Sequence, residues 1–283
     1  MEEETLLAQV AAAGRALTKE GLVARTWGNI SARVDETTCY ITPSGLGYED
    51  MQPEDVVTLS LTEDTWEGIH KPSGERGVHV AAYQLFPEVC YVIHTHQTYG
   101  TALGLAGFAT LEITEEEKAA LGGIALAVYG MPGSRELIAA VRAAMETGAQ
   151  TIFMAHHGML ICGVDEAQAF SRARLIEEIC KRNAKGQADT PRKRLAEQGA
   201  CLPCELDDMA MLIGRTLQAA ELDLPDETLC PQDYETWGIL IEKASICHLH
   251  TLALGVDAVL PEKEVAFLHE DYVNRYAKLK KSE

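Results

Sequence analysis

Apolar residues recur along the chain at two spacings, and the switches between them mark out the elements. Near the start, Leu6, Leu7, Val10, Ala13 and Leu17 return every three or four positions and "EGL" follows, which predicts a helix over residues 4–19. The stretch "NISARVDETTCYITPSG" then alternates apolar and polar positions and reads as two strands joined at "DETT". "VVTLSL" predicts a third strand. "GERGVHVAAYQLFP" predicts a helix with Val78, Ala81, Ala82 and Leu85 on one face and Ser73 placed to cap it.

The run "VCYVIHTH" is short and rich in β-branched and aromatic residues, as a buried strand is. After it, "TALGLAG" is helical in character, "ITEEEKAALGG" opens as a capped helix, and "IALAVYGMPG" reads as a strand running into a turn. The helix "SRELIAAVRAAMETG" precedes "AQTIFMAHHGMLICG", two short apolar strands hinged at the histidines. No linker divides residues 1–180. Beyond Ile176 the chain turns polar, basic and rich in turn formers, which reads as an insertion rather than a second domain. "RLIEEICKR" before this region and "ILIEKASICHL" after it are alike, as though a helical segment had been copied to either side.

Composition narrows the function classes. With 47% apolar residues in 283, the chain can bury a substantial core. Its 43 acidic against 24 basic residues give a net charge of −19, which repels nucleic-acid phosphates and anionic lipid alike, so an anionic ligand needs a local, built site. The acidic start "MEEETLLAQV" and the lack of a long apolar run predict a soluble cytoplasmic protein. Eight scattered cysteines then read as reduced thiols. Cys201 and Cys204 form a C-x-x-C pair without the second pair that a structural zinc site wants.

Two His-x-His pairs raise the question of a metal. Side chains at i and i+2 share a face of a strand but diverge on a helix, so His94 and His96, ending a strand-like run, can chelate one ion. His248 and His250 lie in a long stretch of helical period and cannot. On residues alone, His94 and His96 are a ligand pair or core-filling imidazoles. His156 and His157 offer a second histidine site at a strand end, and Glu75 sits in the first turn of a helix, as a ligand or as a solvated helix-start carboxylate. Three imidazoles and a carboxylate make a tetrahedral zinc set with one displaceable position.

The pieces "GLVARTWGNISARV", "YITPSGLGYEDMQPEDVV", "KPSGERGVHVAAYQLFP", "VIHTHQTYGTALG", "PGSREL" and "AHHGMLICG" resemble, in order and spacing, the class II aldolase and adducin family. Its members include fuculose-phosphate aldolases and ribulose-phosphate 4-epimerases. With a further match over residues 237–276, the resemblance implies one such domain over 1–283 carrying an insertion at about 184–236. It implies an α/β fold, a central, mostly antiparallel sheet flanked by helices, assembled as a homotetramer with sites at subunit contacts.

Residue by residue, the resemblance implies one zinc ion per subunit on Glu75, His94, His96 and His157. It implies a phosphate site at Gly28, Asn29, Ser44, Gly45 and Ser73, whose short donors could bind a dianion without a large basic side chain, although "TPSG" and "KPSG" also read as plain turns. The family's fuculose-phosphate aldolases carry a second serine where this chain has Gly74. They also carry a tyrosine, reaching in from a neighbouring subunit, in the segment matching "ITEEEKAAL", where Glu116 or Glu117 falls nearest. The C-terminal "HEDYVNRYAK" resembles a mobile aromatic tail, which would let Tyr272 and Tyr276 close over an aldehyde. The 4-epimerases usually carry aspartate where this chain has Glu75, so the expected activity is zinc-dependent aldol cleavage of a small phosphorylated ketose, with no nucleic acid or membrane as partner. Epimerase and dehydratase are the rival activities, and a non-catalytic adducin-like module is the rival class.

Overall fold

The computed structural model describes residues 2–23, 27–105, 111–186 and 262–271. Helix α1 (Glu2–Lys19) leads to the hairpin β1 (Asn29–Arg33) and β2 (Thr38–Ile41), whose turn is tied by Asp35 accepting from Thr37 and Thr38. Strands β3 (Val57–Ser60) and β4 (Trp66–Glu67) follow, then α2 (Arg76–Leu85), β5 (Tyr91–Thr95), α3 (Thr98–Leu105), α4 (Glu115–Ala120) and β6 (Ile124–Ala127). Helix α5 (Arg135–Met145), the hairpin β7 (Thr151–Met154) and β8 (Gly158–Gly163), α6 (Glu166–Gly186) and α7 (Glu262–Asp271) complete the described elements. Each element expected between residues 4 and 163 is present. None of the described helices is long and apolar enough to cross a membrane.

The strands form one sheet in the order β4-β3-β2-β1-β5-β8-β7-β6, antiparallel at every junction but the parallel pair β6–β7. This is the mostly antiparallel α/β architecture that the family resemblance implies. Period two sorts its side chains to two cores. Ile30, Ala32, Tyr91, Ile93, Phe153, Met159 and Ile161 face α1 and α6, while Ile41, Val92, Ile152, Leu160 and Cys162 face α2 and α5. The central strands β5 and β8 are covered on both faces, which is why "YVI" and "MLI" read as unbroken apolar runs.

One local expectation is corrected. Ser73 does not cap α2: the N-cap position belongs to Glu75, whose own side chain makes no cap bond. The cause lies in the preceding loop, where Ser44 N–H donates to Lys71 O and Ser73 N–H to Thr42 O, so residues 71–73 stay extended against 42–44. Ser73 Oγ instead accepts the Glu75 N–H at 3.2 Å. The described cysteines Cys39, Cys90, Cys162 and Cys180 are free thiols, as expected. Cys201, Cys204, His248, His250, Tyr272, Tyr276, the second copy of the helical segment and nearly all of the 184–236 region lie outside the described residues.

Candidate metal centre

The end of β5 is approached by backbone from both sides. A Cβ on Gly28, which has φ 116°, would come 2.7 Å from the His94 carbonyl oxygen, and a Cβ on Gly158 would run into the Thr95 carbonyl and reach 3.3 Å from His94 Cε1. Only glycine lets β1 and the β7–β8 turn close in on His94. In that turn His156 takes φ 56°, unusual for a residue with a side chain, and this reversal carries His157 back over the end of β5. Beyond β5, His96 N–H donates to Leu22 O, and Glu177 of α6 accepts the N–H groups of Tyr99 and Gly100, which anchors the exit into α3.

These constraints bring together the ring nitrogens of His94, His96 and His157 and a carboxylate oxygen of Glu75, all within 4.8 Å of one another. Glu75 Oε2 lies 3.0 Å from His94 Nε2, Glu75 Oε1 lies 2.9 Å from His157 Nε2, and the Nε2 atoms of His94 and His96 are 3.0 Å apart. The three rings meet tilted or edge to face, with centroids 4.7–5.1 Å apart. His94 and His157 are buried, whereas His96 and Glu75 are partly exposed, so the cluster opens on one side. Trp27 stands at that opening, its ring 6.2 Å from the His96 ring.

The donor set fits a divalent metal on chemical grounds. His94 Nδ1–H donates to the Met159 carbonyl at 2.8 Å, so in the neutral ring Nε2 is a bare lone pair. That lone pair faces a carboxylate oxygen and another imidazole nitrogen at 3.0 Å, an arrangement that requires positive charge between them, as a proton or a cation. Glu75 Oε1 lies 2.9 Å from His157 Nε2 but without the alignment of a good hydrogen bond, so this buried oxygen has room for a cation as partner. Tetrahedral zinc with bonds of about 2.0–2.2 Å separates its donors by roughly 3.3–3.6 Å, within the spread seen here. Without a metal, burial pushes the Glu75 carboxyl up, but His94 and then His157 outweigh it and hold it well below the carboxylate range. Burial likewise pulls His94 down, and the Glu75 charge more than reverses this.

The residues matched to a phosphate site lie on neighbouring loops. Gly28 and Asn29 begin β1, Ser44 and Gly45 (φ 81°) follow β2, and Ser73 precedes Glu75. Ser73 is buried and keeps its hydroxyl hydrogen to donate, since its oxygen accepts from Glu75 N–H. In the Asn29 side chain, Nδ2 donates to Glu75 Oε2 at 3.3 Å and Oδ1 faces His79 Nε2 at hydrogen-bonding contact.

Glu116 and Glu117 are not brought to the cluster within this chain. They open α4, and the strand after it, β6, is separated from β5 by β7 and β8. Glu117 shares a capping box with Thr114 and receives both arms of Arg182, which pulls its carboxyl down to about 2. Glu116 beside it is exposed. Sequence reasoning overlooked His79, Ser31 and Tyr83, which join Asn29 behind the cluster in the α2–β1 layer. A signal existed, because Glu75, His79 and Tyr83 stand four apart on one helix face. Burial, with His94 adding, pulls the His79 ring down to about 3, so it is neutral.

The family model for the Class II Aldolase and Adducin N-terminal domain matches residues 8–183. An L-ribulose-5-phosphate 4-epimerase, UlaF, of Salmonella paratyphi C is 33% identical over 191 residues, covering 63% of this chain and 83% of the relative. Among solved structures, an L-fuculose 1-phosphate aldolase superposes with TM-score 0.59 at 24% identity, over 75% of this chain and 96% of that one. The L-fuculose 1-phosphate aldolase from Glaciozyma antarctica PI12 gives 0.53 at 19% identity, over 90% and 91%.

Proposed function

The chain belongs to the class II aldolase and adducin family, and from that premise we propose that it is a zinc-dependent aldehyde-lyase that cleaves a ketose 1-phosphate such as L-fuculose 1-phosphate to dihydroxyacetone phosphate and an aldehyde. The observation that carries the reading is the convergence of three imidazoles with a carboxylate that is itself held from behind by Asn29. A divalent metal on Glu75, His94, His96 and His157 supplies Lewis acidity where negative charge develops on the substrate's carbonyl and hydroxyl oxygens.

The chain's own groups do the rest. In cleavage the C3–C4 bonding pair stays with C3, the C4 hydroxyl gives up its proton as C4 becomes an aldehyde, and C3 gains a proton. Glu75 carries the proton at C3, the carbon beside the carbonyl. Ser73, Ser44 and the backbone of Gly28 and Gly45 receive the phosphate, with short donors in place of cations. The C4 hydroxyl proton passes to groups at the open side. Glu116 of a second subunit suits that position better than Glu117, whose carboxylate Arg182 pairs and so makes a poor proton acceptor. Tyr272 and Tyr276 close over the aldehyde, and the subunits assemble as a cytoplasmic homotetramer.

The second reading is the 4-epimerase, favoured by the 33% identity to UlaF; the glutamate at position 75 favours the aldolase. Retro-aldol assays on a panel of ketose 1-phosphates, run beside epimerisation of L-ribulose 5-phosphate, decide between them. Release of dihydroxyacetone phosphate that chelation abolishes and zinc restores is the expected result. Epimerisation without cleavage would assign the second reading, and purified protein without stoichiometric divalent metal would remove both.

A further inference from the structure

Behind the metal centre a row of buried polar side chains runs between α2 and β1. Four helical residues rise about 6 Å and two strand residues about 6.6–6.8 Å, so Glu75, His79 and Tyr83 on the helix interleave with Asn29 and Ser31 on the strand. Asn29 Nδ2 lies 3.3 Å from Glu75 Oε2, Asn29 Oδ1 contacts His79 Nε2, His79 Nδ1 is 2.7 Å from Ser31 Oγ, and Ser31 Oγ is 2.8 Å from Tyr83 OH. Asn29, Ser31, His79 and Tyr83 are all buried. Arg33 closes the far end, its guanidinium over the Tyr83 ring and bonded to the Tyr83, Phe86 and Val89 carbonyls.

The carboxylate sets the direction of every bond in this row. An ionised Glu75 can only accept, so Asn29 must turn its amide nitrogen toward it and its oxygen toward His79. His79 must then carry its proton on Nε2, which leaves Nδ1 to accept from Ser31, and Ser31 in turn accepts from Tyr83. Reversing any one member would set two donors or two acceptors face to face in a buried layer.

We propose that His79 is a positioning residue: its Nε2–H locks the Asn29 amide in the one orientation that donates to Glu75, and so holds the Glu75 carboxylate toward the three imidazoles. Asn29 accordingly serves the carboxylate through one of its two amide hydrogens. The inference rests on the retro-aldol reading only for its kinetic readout.

The test uses the full chain loaded with zinc. Nitrogen-15 histidine spectra of the wild type should show His79 protonated at Nε2 and bare at Nδ1. His79→Phe should weaken zinc binding, measured by competition with a chromogenic chelator, by about tenfold, the lower range for groups that orient a ligand. It should lower kcat by a similar factor and leave KM within about twofold. His79→Gln, whose amide N–H reaches toward Asn29, should recover most of both losses. A His79 proton on Nδ1, wild-type zinc affinity in a folded His79→Phe, or a His79→Gln no better than His79→Phe would overturn the proposal. If the wild type cleaves no ketose phosphate, the proposed function falls, while the spectra and the zinc affinities still decide this one.

Discussion

His94→Ala tests the metal centre most directly, because it separates packing from ligation. His94 is fully buried and donates to the Met159 carbonyl, so truncation leaves that acceptor without its donor, at about 1–3 kcal/mol, before the cost of the cavity is added. That loss appears in chelator-treated protein. Ligation appears as a second, independent quantity. A ligand that binds only the folded state stabilises it by RT ln(1 + [L]/Kd), about 2.7 kcal/mol at a hundredfold and 4.1 kcal/mol at a thousandfold excess over Kd. For a domain of this size each kcal/mol moves the melting temperature by about 2–4 °C. The wild type should therefore gain roughly 5–16 °C as free zinc rises through that range, whereas His94→Ala should start lower and gain nothing. His156→Asn is the matched control: it changes the neighbouring histidine, which is not in the cluster, to a residue that tolerates positive φ. Differential scanning fluorimetry against buffered zinc reads all three. A zinc-dependent rise that survives in His94→Ala, or is lost in His156→Asn, would refute the ligand set.

Two further outcomes follow from the same geometry. Gly158→Ala drives a methyl into the Thr95 carbonyl and toward His94, and should cost about 1–3 kcal/mol in urea unfolding while also weakening zinc binding. The buried His79 ring has its pKa lowered from 6.5 to about 3, so below pH 6.5 the unfolded chain takes a proton that the fold refuses, and stability falls as pH falls. Metal-free protein should therefore lose about 2 kcal/mol more between pH 7 and pH 5 than His79→Phe does; equal pH slopes in the two proteins would show that His79 is not held neutral.

Much of the fold is legible in the residue pattern. The β1–β2 hairpin follows from alternation and from Asp35, α4 from Thr114 and Glu117 in a capping box, and the buried strands β5 and β8 from unbroken apolar runs. The pairing of His94 with His96 is legible too, because residues two apart share a strand face. Ser73 reads locally as a cap, because local sequence does not reveal that residues 71–73 remain extended against 42–44, a contact across the chain. That the Asn29 side chain meets His79 and Glu75 is not legible, because those partners lie about fifty positions away, beyond the reach of any local pattern.

By itself, then, the sequence determines the periodic things: which segments are strands and helices, which faces are apolar, and that two imidazoles can point the same way. Those depend on backbone geometry within a few residues. The tertiary structure alone decides that β1 lies beside β5, that the reversal at His156 returns His157 over His94, and that α2 settles on β1 with Glu75, His79 and Tyr83 meshed between Asn29 and Ser31. These outcomes depend on sheet order and close backbone approach at Gly28 and Gly158. Only the folded chain brings residues so distant in sequence within reach of one carboxylate.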